Sequence, residues 1–253
     1  MTGKIYRLHY RGQLSEDISS DRLEDAVKKC MENIREAQLE GRVLTAALYR
    51  CDRMLFFYYE AVGEPLVVTE PFAMEGSVVM AEHTAVAESG EDVQTTCVRP
   101  EELLMPLKQF LQLWPGQTGD RLWVHMYHIY YHSMPESPEQ WKRAAVPEKR
   151  RGRIAFLRDD KLFSYTYFHK AIVDEGLLAG DKYQSIALHE NILFSYFEEP
   201  KTFVNVQNDT SRESQVINDW LAVDPESHFI HMPQGEGENF MFLPALFAMG
   251  VEG

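Results

Sequence analysis

Cysteine is scarce in this chain and dispersed: Cys30, Cys51 and Cys97, with no C-x-x-C pair among them. An odd, scattered set argues against a disulfide framework and against structural zinc held by thiolates, and it predicts a reduced, cytoplasmic setting. In that setting the sequon Asn208-Asp-Thr210 carries no glycan. Long apolar runs are missing as well. No stretch approaches the roughly 20 residues of a membrane span, and the opening "MTGKIYRLHYRG" has no apolar core of a secretory signal. Positive charge is in deficit. With 25 Lys and Arg against 39 Asp and Glu, the formal net charge is −14, which argues against nucleic acid as the main partner. The local basic run Lys149-Arg-Arg-Gly-Arg153 is expected to be a solvated helix end. There is no Walker sequence, no G-x-G-x-x-G and no G-x-S-x-G. "QGEGEN" (Gln234 to Asn239) lacks the strand-before, helix-after context of a phosphate loop, and His189-Glu-Asn191 lacks the second histidine of H-E-x-x-H.

What the chain does have is an apparent internal duplication over its 253 residues. "YRLHYRG" (Tyr6 to Gly12) parallels "YHIYYHS" (Tyr127 to Ser133). "RCDRMLFFYY" (Arg50 to Tyr59) parallels "RDDKLFSYTY" (Arg158 to Tyr167), and "FLQLWP" (Phe110 to Pro115) parallels "WLAVDP" (Trp220 to Pro225). In the first copy "KIYRLHYR" alternates as a strand does. Leu23, Val27, Cys30 and Ile34 recur at helical spacing between about Asp21 and Glu40, with a capping-box spacing at Asp21 to Glu24 and Gly41 as the stop. "VLTAALYR" and "MLFFYYEAV" form a hairpin, Pro100 opens a helix carrying Leu103, Leu107, Phe110 and Trp114, and "LWVHMYHIYYH" is a strand.

The second copy repeats the plan: a helix over about Pro138 to Arg150, a hairpin "RIAFLR-DDK-LFSYTYF", a further hairpin "YQSIAL-HEN-ILFSYFEE", a helix capped by Thr210 to Glu213 and running through Trp220, and a last strand "NFMFLPALFAM". The order β-α-β-β-α-β, twice, predicts an α+β chain of tandem ferredoxin-like repeats, residues 1–118 and 119–253, forming an intramolecular dimeric α+β barrel. The stretch 64–99 and the hairpin near 183–198 have no assigned role in this plan.

The second copy resembles the L-rhamnose mutarotase family, which shares this fold and interconverts sugar anomers. "WKRAAVPE" (Trp141 to Glu148) is similar to that family's helix, "ENILFSYFE" (Glu190 to Glu198) and "DKLFSY" to its Leu-Phe strand, and "VINDWL" and "LPALFAM" to its last helix and strand. Ala144 and Ala145 stand where the family's helix histidine would fall, and Val146 replaces the Trp before the Pro. The resemblance implies a cofactor-independent sugar isomerase, with a stacking role for Trp220.

Three histidines lie within "HMYHIYYH". On a helix, His125, His128 and His132 would share one face and form a metal clamp. The alternation, the Tyr and Ile content and the parallel with "YRLHYR" favour a strand, on which His125 faces away and no metal site forms. Tyr6, Leu8, Tyr10 and Ile129 would then pack under helices. Arg7, His9, Arg11, His128, Tyr130 and His132 would line the space between two sheets, a setting with donors and acceptors for a sugar or a carboxylate or simply a hydrated face. His128, Tyr130 and His132 are the candidate acid/base groups for anomer exchange. Arg7, His9, Arg11, His169 and Trp220 are candidate binding residues, with Phe163, Tyr165, Tyr167 and His169 on one side of a strand. His228 and His231 read as inert loop histidines. No cofactor and no metal is expected, the partner is a small molecule of sugar type, and self-association is left open. Two other readings stand beside the isomerase: a non-catalytic small-molecule binding module, and a haem-binding or monooxygenase relative of the same fold.

Overall fold

The computed structural model describes residues 3–15, 18–63, 97–116, 119–201, 207–208, 213–235 and 237–251. The expected boundary at residue 118, residues 64–96 of the unassigned stretch 64–99 and most of the Thr210 to Glu213 cap lie outside them. The elements, in chain order, are β1 (Lys4–Gln13), α1 (Ser20–Leu39), β2 (Val43–Cys51), β3 (Met54–Gly63), α2 (Pro100–Leu103) with a 3-10 turn Met105–Phe110, β4 (Val124–His125) and β5 (Tyr127–Tyr131). There follow α3 (Pro138–Trp141), β6 (Lys149–Leu157), α4 (Leu162–Glu175), β7 (Leu178–Ala179), β8 (Ser185–His189), β9 (Ile192–Glu199), β10 (Gln207–Asn208), α5 (Gln215–Ala222), β11 (Phe229–Ile230), β12 (Met241–Phe242) and β13 (Ala245–Gly250).

The chain is α+β, with two large antiparallel sheets. One has the order β13-β2-β3-β1-β4 and the other β11-β6-β9-β8-β5, with β12 also beside β6. The first sheet thus joins β1 to β4, from residues 4–125, with β13 from residues 245–250, while every strand of the second lies within residues 127–242. The crossings are short. Only Met126 separates β4, at the edge beside β1, from β5, at the edge beside β8. Leu243 and Pro244 separate β12, beside β6, from β13, beside β2. The two crossing residues are held alike: Met126 donates its backbone N–H to the His9 carbonyl and Leu243 donates to the Gly152 carbonyl, both at 2.9 Å.

The outer face of the first sheet is covered by α1, whose Leu23, Val27, Cys30, Ile34 and Ala37 recur at spacings of three and four and are buried. Gly41, at φ 73°, ends that helix as expected. Tyr6, Leu8 and Tyr10 of β1 pack into this layer, as the alternation predicted. The expected helix from Pro100 is shorter than its pattern. It breaks at Leu104 and tightens to a 3-10 turn beginning Met105-Pro106, because Pro106 has no N–H to offer the helical ladder. Leu103, Leu107 and Phe110 still reach the core, while Trp114 lies beyond the turn and pairs with Arg121.

Two readings of the second half are corrected. Residues 142–150 are not helical: α3 stops at Trp141, and the basic run opens strand β6. Its charges are matched across the ladder, where Lys149 and Arg150 lie opposite Glu199 and Glu198. The segment "LFSYTYF" is not a hairpin arm but the first half of α4. Phe163 and Tyr167 are 92% and 67% exposed while Tyr165 and Ile172 are buried, a helical period that the alternation of Phe163, Tyr165 and Tyr167 could not reveal. With that segment helical, the hairpin near 183–198 is no surplus element: β8 and β9 are the central pair of the second sheet. The cap of α5 is Ser214, whose hydroxyl accepts from the Ile217 N–H at 3.0 Å.

The corrections move the duplication. By sheet position the counterpart of β1 is β6, not β5, and the counterpart of β3 is β9. Facing positions then recur as Phe56-x-Tyr58-x-Glu60 and Phe194-x-Tyr196-x-Glu198. Both strands follow tight turns with a left-handed residue at the same place, Asp52 at φ 51° and Glu190 at φ 55°. The two inner faces meet ring on ring, with Phe56 5.2 Å from Phe194 and Tyr58 stacked on Tyr196 at 3.7 Å. At the position opposite His9 in this scheme stands Gly152, and the Tyr49 ring fills the space: a Cβ there would lie 2.6 Å from it. Gly152→Ala is therefore expected to cost about 1–3 kcal/mol by overpacking, recovered in part when Tyr49 is shortened to Leu. Urea midpoints of the two variants check this, and an unshifted Gly152→Ala midpoint would refute it.

Candidate functional site

Strand alternation directs Arg7, His9 and Arg11 of β1 inward, opposite Glu60, Tyr58 and Phe56 of β3. All three are buried. His128 of β5 reaches the same space and meets His9, with Nε2 2.6 Å from Nδ1, while the other His9 nitrogen lies 3.1 Å from the Ser185 hydroxyl. Burial lowers both imidazole pKa values, and each ring also feels Arg7 and His125. His9 is held well below the ordinary value and His128 falls to about 3. Both rings are neutral at pH 7, so one donates its single N–H to the other.

The expected set His128, Tyr130 and His132 is not brought together. The register between β5 and β8 shifts between His128 and Tyr130. This irregularity turns Tyr130 to the outer face, where it is buried with Ile129, Leu157 and Tyr165 under α4. His132 lies further out, bonded to the Ser133 hydroxyl at 2.9 Å and lining a hollow of about 190 Å³ with Ile172 and Gly176. Only His128 of the three faces between the sheets. His125 points away as expected, against Tyr10 at 5.2 Å, and burial with nearby Arg121 lowers it to about 4.

His169 and Trp220 do meet, but in a second cluster outside the inter-sheet space. His169 is stacked on Tyr165 at 3.8 Å, one helical turn before it, and lies 5.1 Å from Trp220. Burial lowers its pKa to about 4 although the Tyr165 carbonyl supports the protonated form. His228 is buried there too, 2.9 Å from the Ser164 hydroxyl, and is no loop bystander.

The strongest polar constellation was not foreseen residue by residue. Glu60 and Glu198 close the inter-sheet space at the end where β3 and β9 finish, and one guanidinium, Arg143, bonds both. Its Nη1 and Nη2 donate to Glu60 at 2.6 and 2.8 Å, and Nη2 also donates to Glu198 at 2.8 Å. Each carboxylate accepts a further bond from the phenol two residues earlier, Tyr58 at 2.7 Å and Tyr196 at 2.8 Å. The Arg143 guanidinium lies over the Tyr183 ring at 4.0 Å. Burial alone would raise the Glu60 pKa, but Arg143, Arg7 and the Tyr58 hydroxyl overturn this and hold it at about 2. Arg7 completes the wall, donating to Tyr58 at 3.0 Å and to the carbonyls of Ser133 and Tyr183 at 3.0 and 2.6 Å. At the opposite end Arg11 is paired with Glu190 at 2.7 Å and lies over the Trp114 ring.

The recurring F-x-Y-x-E pattern was the available signal for the two carboxylates. Nothing in the sequence marks Arg143, which lies on an irregular segment. Chemically, the cluster presents two oriented carboxylates, two phenols and aromatic walls, all built to hold a planar cation.

Two solved structures are similar to this chain. One is a candidate monooxygenase from Lactobacillus acidophilus, at 7% identity over 96% of both chains with a TM-score of 0.41. The other is a candidate monooxygenase from Fusobacterium nucleatum, at 10% identity over 100% of this chain and 97% of that one, with a TM-score of 0.38. No protein-family model matches the chain. No curated protein matches it. Among the described residues no helix is long and apolar enough to cross a membrane, and no group of three metal-ligating side chains occurs.

Proposed function

We propose that the chain is a tandem of two ferredoxin-like units closed on each other as an intramolecular α+β barrel, and that it binds a small polar molecule at the Glu60–Glu198 end without transforming it. The observation that carries this reading is the constellation there: charged groups and aromatic rings from both sheets converge on one point, in the manner of a ligand site. Anomer exchange needs an acid and a base free to trade protons with a bound sugar. His9 and His128 are instead bonded to each other, Glu60 is ionised and engaged by Arg143 and Tyr58, and the phenols of Tyr58 and Tyr196 hold their protons far above neutrality because they are buried. The candidate haem-ligating histidines are engaged as well, His9 with Tyr58 and Phe194, His128 with His9, and His169 with Tyr165.

Saturation-transfer NMR with a panel of aldoses, small carboxylates and small organic cations tests the reading. The expected result is line broadening of a bound probe, with backbone shifts confined to residues near Glu60, Tyr183 and Glu198 and no acceleration of anomer exchange. Accelerated exchange that is lost in His128→Ala would replace it with the isomerase reading. Absence of binding by every probe would refute it.

A further inference from the structure

Arg143 enters the carboxylate seat from a segment with little else to hold it. Lys142, Ala144, Ala145, Val146 and Glu148 are exposed, while the Arg143 side chain is only 10% exposed. Between α3 and β6 the backbone of this strap is held only at its ends, by Lys142 N–H to the Glu139 carbonyl, the Tyr183 hydroxyl to the Lys142 carbonyl at 3.0 Å, and Glu148 N–H to the Glu199 carbonyl. Between those ends Arg143 is the strap's own side chain that reaches into the seat. The seat itself belongs to the barrel: Glu60 and Glu198 occupy corresponding positions of the two central strands, each is oriented by its own tyrosine, and Tyr183 supplies a stacking face. Fork-shaped donation to two carboxylates together with stacking on an aromatic ring is recognition of a guanidinium and not of a compact ammonium.

A second observation points the same way. The Tyr49 phenol oxygen is buried, close enough to Arg150 and Glu198 to feel their charges, and has no hydrogen-bond partner among the described residues. The indole N–H of Trp141, buried at the start of the strap and stacked edge-on against Tyr183, is likewise without one. Buried polar groups of this kind are unusual unless something polar reaches them.

We infer that the seat between Glu60 and Glu198 is a binding site for a small molecule bearing a guanidinium or amidinium group, with Arg143 as its tethered, displaceable occupant. This rests on the reading of that end of the barrel as a binding site and names the ligand class. A free ligand of this class exchanges with the Arg143 side chain, the strap lifts away, and the stacked tyrosines and both carboxylates are retained.

The test uses methylguanidinium chloride as probe, well below denaturing concentrations, with methylammonium chloride at equal ionic strength as control. In the wild-type chain, exchange of the two hydrogen-bonded strap amides, Lys142 and Glu148, is expected to accelerate saturably, on the order of 10-fold, while amides of β3 and β9 stay protected. In Arg143→Ala, methylguanidinium is expected to restore thermal stability saturably, methylammonium not, and the effect is lost in Glu60→Gln/Arg143→Ala. A strap indifferent to the probe in the wild type overturns the inference, and this measurement decides alone if Arg143→Ala does not fold. Binding of an aldose or a carboxylate at this end, without methylguanidinium binding, overturns the ligand class and leaves the binding reading standing. Failure of every probe removes both.

Discussion

Acidification from about pH 7 to about pH 5 is expected to remove roughly 2 kcal/mol of stability for each of the histidines that folding keeps neutral. His125, His128 and His169 are of this kind, and His9 and His189 are lowered in the same direction. Folding lowers His128 to about 3 and His125 and His169 to about 4, and it holds His9 well below 6.5, with burial the largest cause each time. The sign follows from proton counting. Below 6.5 the unfolded chain binds protons that the folded chain refuses, so stability falls as pH falls, until the folded pKa values are reached near 4 and 3. The paired rings of His9 and His128 reinforce this, because a second proton would set two cations face to face beside Arg7. Urea unfolding across this range measures it directly. His128→Gln, which titrates in neither state, should lessen the pH slope by close to one proton. A stability unchanged between about pH 7 and about pH 5 would contradict the neutral pair.

The second large effect belongs to the carboxylate seat. Glu60→Gln is expected to destabilise the fold by about 3–5 kcal/mol, since it leaves the buried Arg143 charge half-paired. Removing both charges in Glu60→Gln/Arg143→Met should recover part of that loss, and a double-mutant cycle in urea isolates the pair. The wild-type carboxylate adds an acid limb of its own. Its folded pKa of about 2 lies under the ordinary 4.5, so the stabilisation is present above 4.5 and disappears as pH falls towards 2. That limb should be missing in Glu60→Gln. A single variant as stable as the wild type would show that the guanidinium does not depend on this carboxylate.

Much of the architecture was legible because binary patterning is local. The strand period of β1 places Arg7, His9 and Arg11 between the sheets and Tyr6, Leu8 and Tyr10 under α1, as the structure has them. What escaped was non-local or irregular. One register shift at Ile129 undid the grouping of His128 with Tyr130 and His132, and no residue type announces it. The aromatic-rich start of α4 fits either period until the buried and exposed faces are known. That misreading also hid the true repeat, because "LFFYYE" was matched to "LFSYTY" and not to "LFSYFE", where the two seat carboxylates coincide.

The late arrival of β13 bears on how the protein is made. The first sheet acquires β13 only from the last residues of the chain, pairing Ala245 with Tyr49 and Gly250 with Thr45. A nascent chain emerging from the ribosome therefore carries β2 as an open edge until β13 has emerged, whereas β5 waits for β8 over a much shorter separation. The first sheet cannot be finished without β13, so its assembly includes one late, long-range closure. A chain shortened by its last strand leaves that seam open.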